Sequence, residues 1–222
     1  MIAKLQRPLT YLITNGATTC ATTPASEEFA RLLALVERAT DAGVSLIQLR
    51  EKELSARVLY ELTERAARII QSIGAVTRLL VNDRADLASA AGADGVHLAT
   101  RSLQPAIVRR TFGDNFLIGV STHTLAEARA ARADGADFAT FGPIFETPSK
   151  AVYGAPVGVD ALASAVRSLA PFPLVSLGGI TLANADQVFA AGAHGIAGIR
   201  LFADARDLRE VVREVASIAS KA

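Results

Sequence analysis

Val44-Ser45-Leu46-Ile47-Gln48-Leu49-Arg50-Glu51-Lys52 is an apolar run that closes in an amide, a guanidinium and an ammonium. Its apolar part reads as a buried strand, and period two places Gln48, Arg50 and Lys52 on one side of the strand end. Such an ending makes an anion site, because Arg grips phosphate oxygens in a fork while Lys adds a compact charge. A solvated strand end with ion pairs to Glu51 and Glu53 is the competing reading. Other strands of the chain end in polar residues in the same way, and that recurrence favours the anion site.

Working outward, short apolar runs alternate with longer amphipathic stretches along the whole chain. Strands are expected at Thr10–Thr14, Ser45–Leu49, Leu79–Val81, Gly95–Leu98, Leu117–Ser121, Phe138–Phe141, Leu174–Leu177 and Ile196–Ile199. Helical patterns fall at Glu27–Ala42, Ala56–Ile73, Pro105–Thr111, Leu125–Asp134, Val159–Leu169, Leu182–Ala191 and Asp207–Ser217. Ala91-Gly92-Ala93, Asp134-Gly135-Ala136 and Ala191-Gly192-Ala193 read as helix ends, with Gly in the left-handed conformation before the next strand. Roughly eight strand–helix repeats in a chain just above the lower size limit predict a (β/α)8 TIM barrel, an α/β single domain over residues 1–222 with its core at about 10–218. An open doubly wound sheet is less fitting, since no GxGxxG follows the first strand.

The bulk numbers exclude several classes. The chain has 222 residues, half of them hydrophobic and none of them Trp, which suits one packed α/β domain. Its 23 basic and 22 acidic residues are spread evenly and give a net charge of +1, so no nucleic-acid footprint and no acidic tail is present. The lone Cys20 rules out an internal disulfide framework, fits a reducing compartment and lies in a loop-like segment without an evident role. The N-terminal Met1–Pro8 lacks the apolar core of a signal peptide, and no window reaches the roughly 20 apolar residues of a membrane span. A soluble, cytoplasmic protein is expected, without nucleic-acid or membrane partners; a homo-oligomer is compatible with the sequence.

In a barrel of this kind the chemistry belongs at the carboxyl ends of the strands. Polar residues gather there: Gln48, Arg50 and Lys52; Asn82, Asp83 and Arg84; His97; Ser121, Thr122 and His123; a long loop from Gly142 to Lys150; Gly178-Gly179-Ile180-Thr181; and Gly198-Ile199-Arg200. Gly178 and Gly179 allow close approach of backbone to an anion, Thr181 is placed to cap the next helix, and Arg200 lies alongside, which reads as a phosphate cradle or as a tight turn. Arg50, Lys52 and Lys150 around Asn82 and Asp83 suit a diphosphate with Mg2+, although taken alone Asp83 is more often a turn or cap residue. Of three histidines, His194 is expected on the surface at the opposite end. His97 is a core imidazole or a site residue, and His123 is placed to move a proton near neutral pH.

With these residues laid out, the chain resembles the thiamine phosphate synthase family, which also contains the thiazole tautomerases. The resemblance runs from about Tyr11 to Phe202. It is carried by Gln48–Lys52, Val81-Asn82-Asp83-Arg84, Gly92–Leu98, Gly119-Val120-Ser121-Thr122-His123-Thr124, Phe141-Gly142-Pro143-Ile144-Phe145 and Gly178–Thr181. It implies a barrel enzyme that joins 4-amino-2-methyl-5-hydroxymethylpyrimidine diphosphate to 4-methyl-5-hydroxyethylthiazole phosphate, giving thiamine phosphate and diphosphate. It also implies that Gln48, Arg50, Lys52 and Asn82 hold the pyrimidine diphosphate and that Asp83 ligates Mg2+. Lys150 would neutralise the departing diphosphate, and Ser121 would lie near the pyrimidine and the reacting diphosphate. Thr147, Ser149, Gly179 and the loop at Ile199 and Arg200 would contact the thiazole phosphate.

Two departures from the family pattern stand out. After His97-Leu98 the synthases usually read Gly-Gln-x-Asp, with a second Mg2+-binding carboxylate; here the residues are Ala99-Thr100-Arg101-Ser102. The last strand usually ends in a Val-Ser pair, where this chain has Ile199-Arg200. Loss of the aspartate is shared with the metal-free tautomerases, in which the counterpart of His123 is the acid/base. The synthase is the expected activity; a tautomerase and a non-catalytic relative that binds thiamine phosphate are the alternatives.

Overall fold

Along β1 (Leu9–Ile13), Leu9, Tyr11 and Ile13 face one apolar cluster while Leu12 faces another. That two-sidedness recurs in most strands of the computed structural model, which describes residues 5–147 and 155–222. β1 is followed by β2 (Leu46–Leu49), β3 (Arg78–Asn82), β4 (Gly95–Leu98), β5 (Leu117–Thr122), β6 (Phe138–Phe141), β7 (Leu174–Leu177) and β8 (Gly195–Gly198). All pair in parallel, in chain order, and β8 closes on β1 through Leu9–Gly195 to Leu12–Gly198. The expected (β/α)8 barrel is therefore the observed one. Strands buried on both faces explain why the sequence shows continuous apolar runs instead of alternation.

Inside the barrel, Leu9, Tyr11, Ile13, Leu46, Leu80, Leu117, Phe138, Val175 and Ala197 form a packed plug. Outside it, the larger cluster joins the strands to the helices, with Phe29, Val36, Leu62, Phe141, Phe189 and Phe202 among its fully buried members. The helices are α1 (Glu27–Asp41), α2 (Ala56–Ile73), α3 (Ala85–Ala90), α4 (Pro105–Phe112), α5 (Leu125–Ala133), α6 (Gly158–Leu169), α7 (Ala185–Ala190), α8 (Arg200–Ala203) and α9 (Leu208–Ser220). Two of them, α3 and α8, have six and four residues and show too little periodicity to be recognised as sequence. No helix among the described residues is long and apolar enough to cross a membrane.

Local chemistry sets the element ends that matter for the site. Ser55 caps α2 by accepting from Val58 N–H, and Gly74 ends it in the left-handed conformation. Thr124 and Glu127 form a reciprocal capping box at α5, and Glu127 also accepts from the backbone N–H of His123. Three sequence expectations shift. β2 stops at Leu49, so period two does not extend to Lys52, which sits in the following turn. α7 starts at Ala185 instead of Leu182, with Asn184 as its cap residue, so Thr181 does not cap it; its N–H donates to Asn184 Oδ1. β8 ends at Gly198, and Arg200 opens α8.

Candidate active site

At the mouth of the barrel, the ends of β2, β3 and β4 enclose one cavity. Lys52, Asn82, Asp83, Arg84, Thr100, Arg101 and Ser102, with Leu49 and Leu54 at the base, line a cavity of about 460 Å3. Asp83 takes φ 60°, a left-handed conformation that is uncommon outside glycine but is tolerated best by Asp and Asn. Its backbone N–H is held by the His97 carbonyl at 3.0 Å, so β4 fixes the turn that presents Asp83 at the rim.

The charges in this cavity differ in availability. Arg84 forks onto Asp86, at 2.9 and 2.6 Å, and the two groups reinforce each other: hydrogen bonding to Arg84 lowers the Asp86 pKa, and the same bond raises that of Arg84. Glu51 also lines the cavity but is buried, and both its oxygens are engaged. It accepts from Thr14 Oγ1, Gly16 N–H, and Thr18 N–H and Oγ1, and so ties down the loop between β1 and α1. The ion pair between Arg50 and Glu51 expected of a solvated strand end is thus absent among the described residues. Lys52 and Arg101 are exposed and make no ion pair there either. With Glu51 engaged by the β1 loop, Asp83 is the other carboxylate lining the cavity with Lys52 and Arg101, neither of which is ion-paired among the described residues.

Beneath the rim runs a buried polar line. Gln48 Nε2 donates to Asn82 Oδ1 at 3.0 Å, and Tyr11 O–H donates to Gln48 Oε1 at 3.1 Å. Tyr11 Oη also lies 3.0 Å from His97 Nδ1, and His97 Nε2 lies 2.9 Å from Ser121 Oγ. Room for the His97 and Phe138 rings comes from Gly119, where a Cβ would stand 2.4 Å from Phe138 Cζ and 2.7 Å from His97 Nδ1. Burial pushes the His97 imidazole down to about 3, and the nearby Arg50 guanidinium adds to this, so the ring is neutral at physiological pH. His97 is therefore the satisfied core imidazole that one reading of the sequence allowed, and it holds Ser121 directly. Tyr11 escaped the sequence reading, although its place between Leu9 and Ile13 at period two marks it as facing into the barrel.

The other candidates are distributed as follows. His123 Nδ1 donates to the Gly142 carbonyl, which joins the ends of β5 and β6. Gly178 and Gly179 have φ of 99° and 66°; a Cβ on them would meet Pro143 at 2.5 Å and the Glu146 carbonyl at 2.5 Å. These glycines are thus required by the packing of the β7 loop on the β6 loop. Ile199 is half-buried and packs on the barrel plug, whereas Arg200 is exposed and does not fill the mouth. Thr147 is half-buried. Ser149 and Lys150 lie outside the described residues. His194, at the opposite end, is half-buried instead of a free surface residue, with Nε2 2.8 Å from the Leu5 carbonyl.

Among the described residues, no group of three or more His, Cys, Asp or Glu side chains could hold a metal by itself. Ser102 Oγ accepts from Ala99 N–H at 2.7 Å and closes its own turn. One carboxylate with open space in front of it fits a Mg2+ held jointly with phosphate oxygens and water, which is how that ion is commonly bound.

Residues 18–202 match the family model described as thiamine monophosphate synthase. A Geobacter sulfurreducens relative is 49% identical over 187 residues, covering 84% of this chain and 86% of its own length. The thiamine-phosphate synthase of Moorella thermoacetica is 40% identical over 190 residues, 86% of this chain and 89% of that one. In three dimensions, the thiamine phosphate pyrophosphorylase of Pyrococcus furiosus superimposes with a TM-score of 0.79 at 29% identity, covering 98% of this chain and 96% of that one. A barrel whose second, third, fourth and fifth strands end in this set of groups, matched over this length, belongs to the thiamine monophosphate synthase family.

Proposed function

We infer that the chain condenses 4-amino-2-methyl-5-hydroxymethylpyrimidine diphosphate with 4-methyl-5-hydroxyethylthiazole phosphate, releasing diphosphate and giving thiamine phosphate. One observation carries this reading furthest: the cavity sets Lys52 and Arg101, without ion pairs among the described residues, around Asn82 and Asp83, a wall suited to a diphosphate and its counter-ion. The reaction breaks the C–O bond between the pyrimidine methylene and diphosphate, and the electron pair leaves with diphosphate. The thiazole nitrogen then supplies the pair for the new C–N bond and becomes quaternary. No proton is lost or gained in that bond exchange, so position and charge matter more than a protein base.

Arg50, Lys52 and the Asn82 amide hold the diphosphate in this scheme. Their benefit is greatest as the leaving group gains charge, so they lower the barrier more than they stabilise bound substrate. Asp83 would hold Mg2+, which when bound adds positive charge at the diphosphate oxygens. Ser121 lies beside the pyrimidine. By family resemblance Lys150 faces the departing diphosphate, and Thr147, Ser149, Gly179 and the Ile199–Arg200 loop meet the thiazole phosphate. The test is product formation from the two substrates with Mg2+ and again with a chelator. Mg2+-dependent thiamine phosphate supports the synthase; no product from folded protein in either condition rejects it.

A thiazole tautomerase is the second reading, and one observation favours it: Ser102 stands where a metal-binding carboxylate is usual. In that case His123 would be the acid/base, its ring oriented by the bond from Nδ1 to the Gly142 carbonyl. Chelation would leave that activity intact, and His123→Ala would abolish it.

A further inference from the structure

The buried line from Asn82 to Ser121 has a direction, and the direction fixes what each end can offer a reactant. Tyr11, Gln48 and His97 are 0%, 2% and 2% exposed, so water does not complete their bonds, and the line must satisfy itself. Tyr11 has a single hydroxyl proton, and it goes to Gln48 Oε1. The 3.0 Å contact between Tyr11 Oη and His97 Nδ1 then needs the proton on nitrogen. A neutral imidazole protonated at Nδ1 has a bare Nε2, so the 2.9 Å contact to Ser121 is a bond donated by the serine hydroxyl. At the other end, Asn82 Oδ1 is committed inward to Gln48 Nε2, which leaves the Asn82 NH2 group for the mouth.

We propose that Tyr11 and His97 are positioning residues that bind the two ends of the site into one polarised chain, so that Asn82 meets its reactant as a donor and Ser121 as an acceptor. Turning over both amides would run every bond backwards. Asn82 would then aim Oδ1 at the reactant, and Ser121 would give it a proton. An anion next to Asn82 selects between the two, because it binds the amide NH2 and repels the carbonyl. Diphosphate at Asn82 thus makes Ser121 an acceptor some four bonds away.

The consequence for chemistry rests on the synthase reading. Ser121 has no proton to give the diphosphate, so its lone pair is available to the exocyclic amino group of the pyrimidine. As the C–O bond breaks, positive charge spreads through the ring onto that amine. Its N–H then becomes a stronger donor, and an acceptor fixed opposite it gains more in the transition state than in the ground state.

The deciding measurement is the tautomer of His97, read from long-range 1H–15N spectra of 15N-histidine-labelled protein with Mg2+ and inorganic diphosphate at pH 7.5. With three histidines in the chain, His123→Gln and His194→Gln proteins assign the His97 signals by elimination. Proton on Nδ1 with bare Nε2 is the expected result; proton on Nε2 in the presence of diphosphate overturns the proposal. Tyr11→Phe keeps the buried ring and cuts the chain. It is expected to lower kcat about tenfold with KM within twofold, and to leave His97 as a mixture of tautomers. A kcat within twofold of wild type, or an unchanged tautomer, also overturns the proposal. If Tyr11→Phe does not fold, the wild-type tautomer decides alone. Absence of thiamine phosphate from the wild-type protein removes the synthase reading and the role of the pyrimidine amine, whereas the tautomer still decides whether the polarised chain exists.

Discussion

The two ends of this barrel handle charge in opposite ways. At the amino ends of the strands, acids and bases are paired with each other and with backbone. Asp94 accepts from Leu79 N–H and Arg78, and Asp137 accepts from Ile118 N–H and Arg109, in equivalent places before β4 and β6. Arg109 then reaches the Gly113, Phe116 and Gly135 carbonyls as well. At the carboxyl ends, Lys52 and Arg101 have no ionic partner among the described residues, and Glu51, the neighbouring acid, is engaged with the β1 loop. One end uses its charges to hold strands together; at the other, Arg84 is paired with Asp86 but Lys52 and Arg101 stay open, as the proposed diphosphate site requires. The same backbone architecture separates stability from chemistry along the barrel axis.

The sharpest break in that comparison comes from removing one charge at each end. Lys52→Ala is expected to lower kcat by about 100- to 1,000-fold, the order of effect for one fixed group that stabilises a leaving anion. Because Lys52 is exposed, its thermal midpoint should stay within about 1 °C of wild type. Steady-state kinetics and a thermal melt on the same preparation check both halves. Asp137→Ala should do the reverse. It leaves Ile118 N–H without its bond and the half-buried Arg109 without its counter-charge, at a cost of about 2 kcal/mol in urea unfolding. Its kcat should remain within twofold. Equal loss of activity in the two variants would refute the division of labour.

The same contrast explains what was legible in the sequence. The eight apolar runs and their polar endings gave the barrel and its reactive face, because strand burial and side-chain period are local properties. Lys52 reaches the cavity in a way strand period does not foresee: β2 ends three residues earlier, and a turn delivers the side chain. Glu51 could not be told from an ion-pair partner of Arg50, since its true partners, Thr14, Gly16 and Thr18, are more than 30 residues away along the chain. Tyr11 and His97 are likewise joined only by closure of the barrel, which brings β1, β2, β4 and β5 around one interior. Short helices were missed for a simpler reason: six residues of α3 span less than two turns and show no period.

A pH series probes the interior between the two ends. His97 is neutral in the folded barrel down to about pH 3, whereas in the unfolded chain an ordinary histidine takes up a proton near 6.5. Below pH 6.5 the unfolded state therefore binds the extra proton, and stability falls as pH falls. Between pH 6.5 and 5, above the main carboxylate range, this should remove about 1.5 kcal/mol of unfolding free energy. His97→Gln should flatten that slope, and urea unfolding at each pH measures it. A slope unchanged by the substitution would mean that another group controls acid stability.

The finest adjustment of the comparison is to make the open end less cationic. Ser102 now accepts from Ala99 N–H and contributes no charge, and Arg101 beside it adds a positive one. Ser102→Asp can keep that turn, because a carboxylate accepts the same backbone N–H and caps such turns well. Its second oxygen would face the cavity that Asp83 also lines. Two carboxylates in place of one should strengthen Mg2+ binding about tenfold, seen by calorimetry with the metal alone and as a lower Mg2+ concentration for half-maximal activity. The added negative charge should also weaken diphosphate binding in metal-free buffer, since Lys52 and Arg101 would then have an acid to pair with. Mg2+ affinity that does not change would show that Ser102 lies too far from Asp83 to share an ion with it. In that case Arg101, not a second carboxylate position, sets how this mouth balances the charge of its substrate.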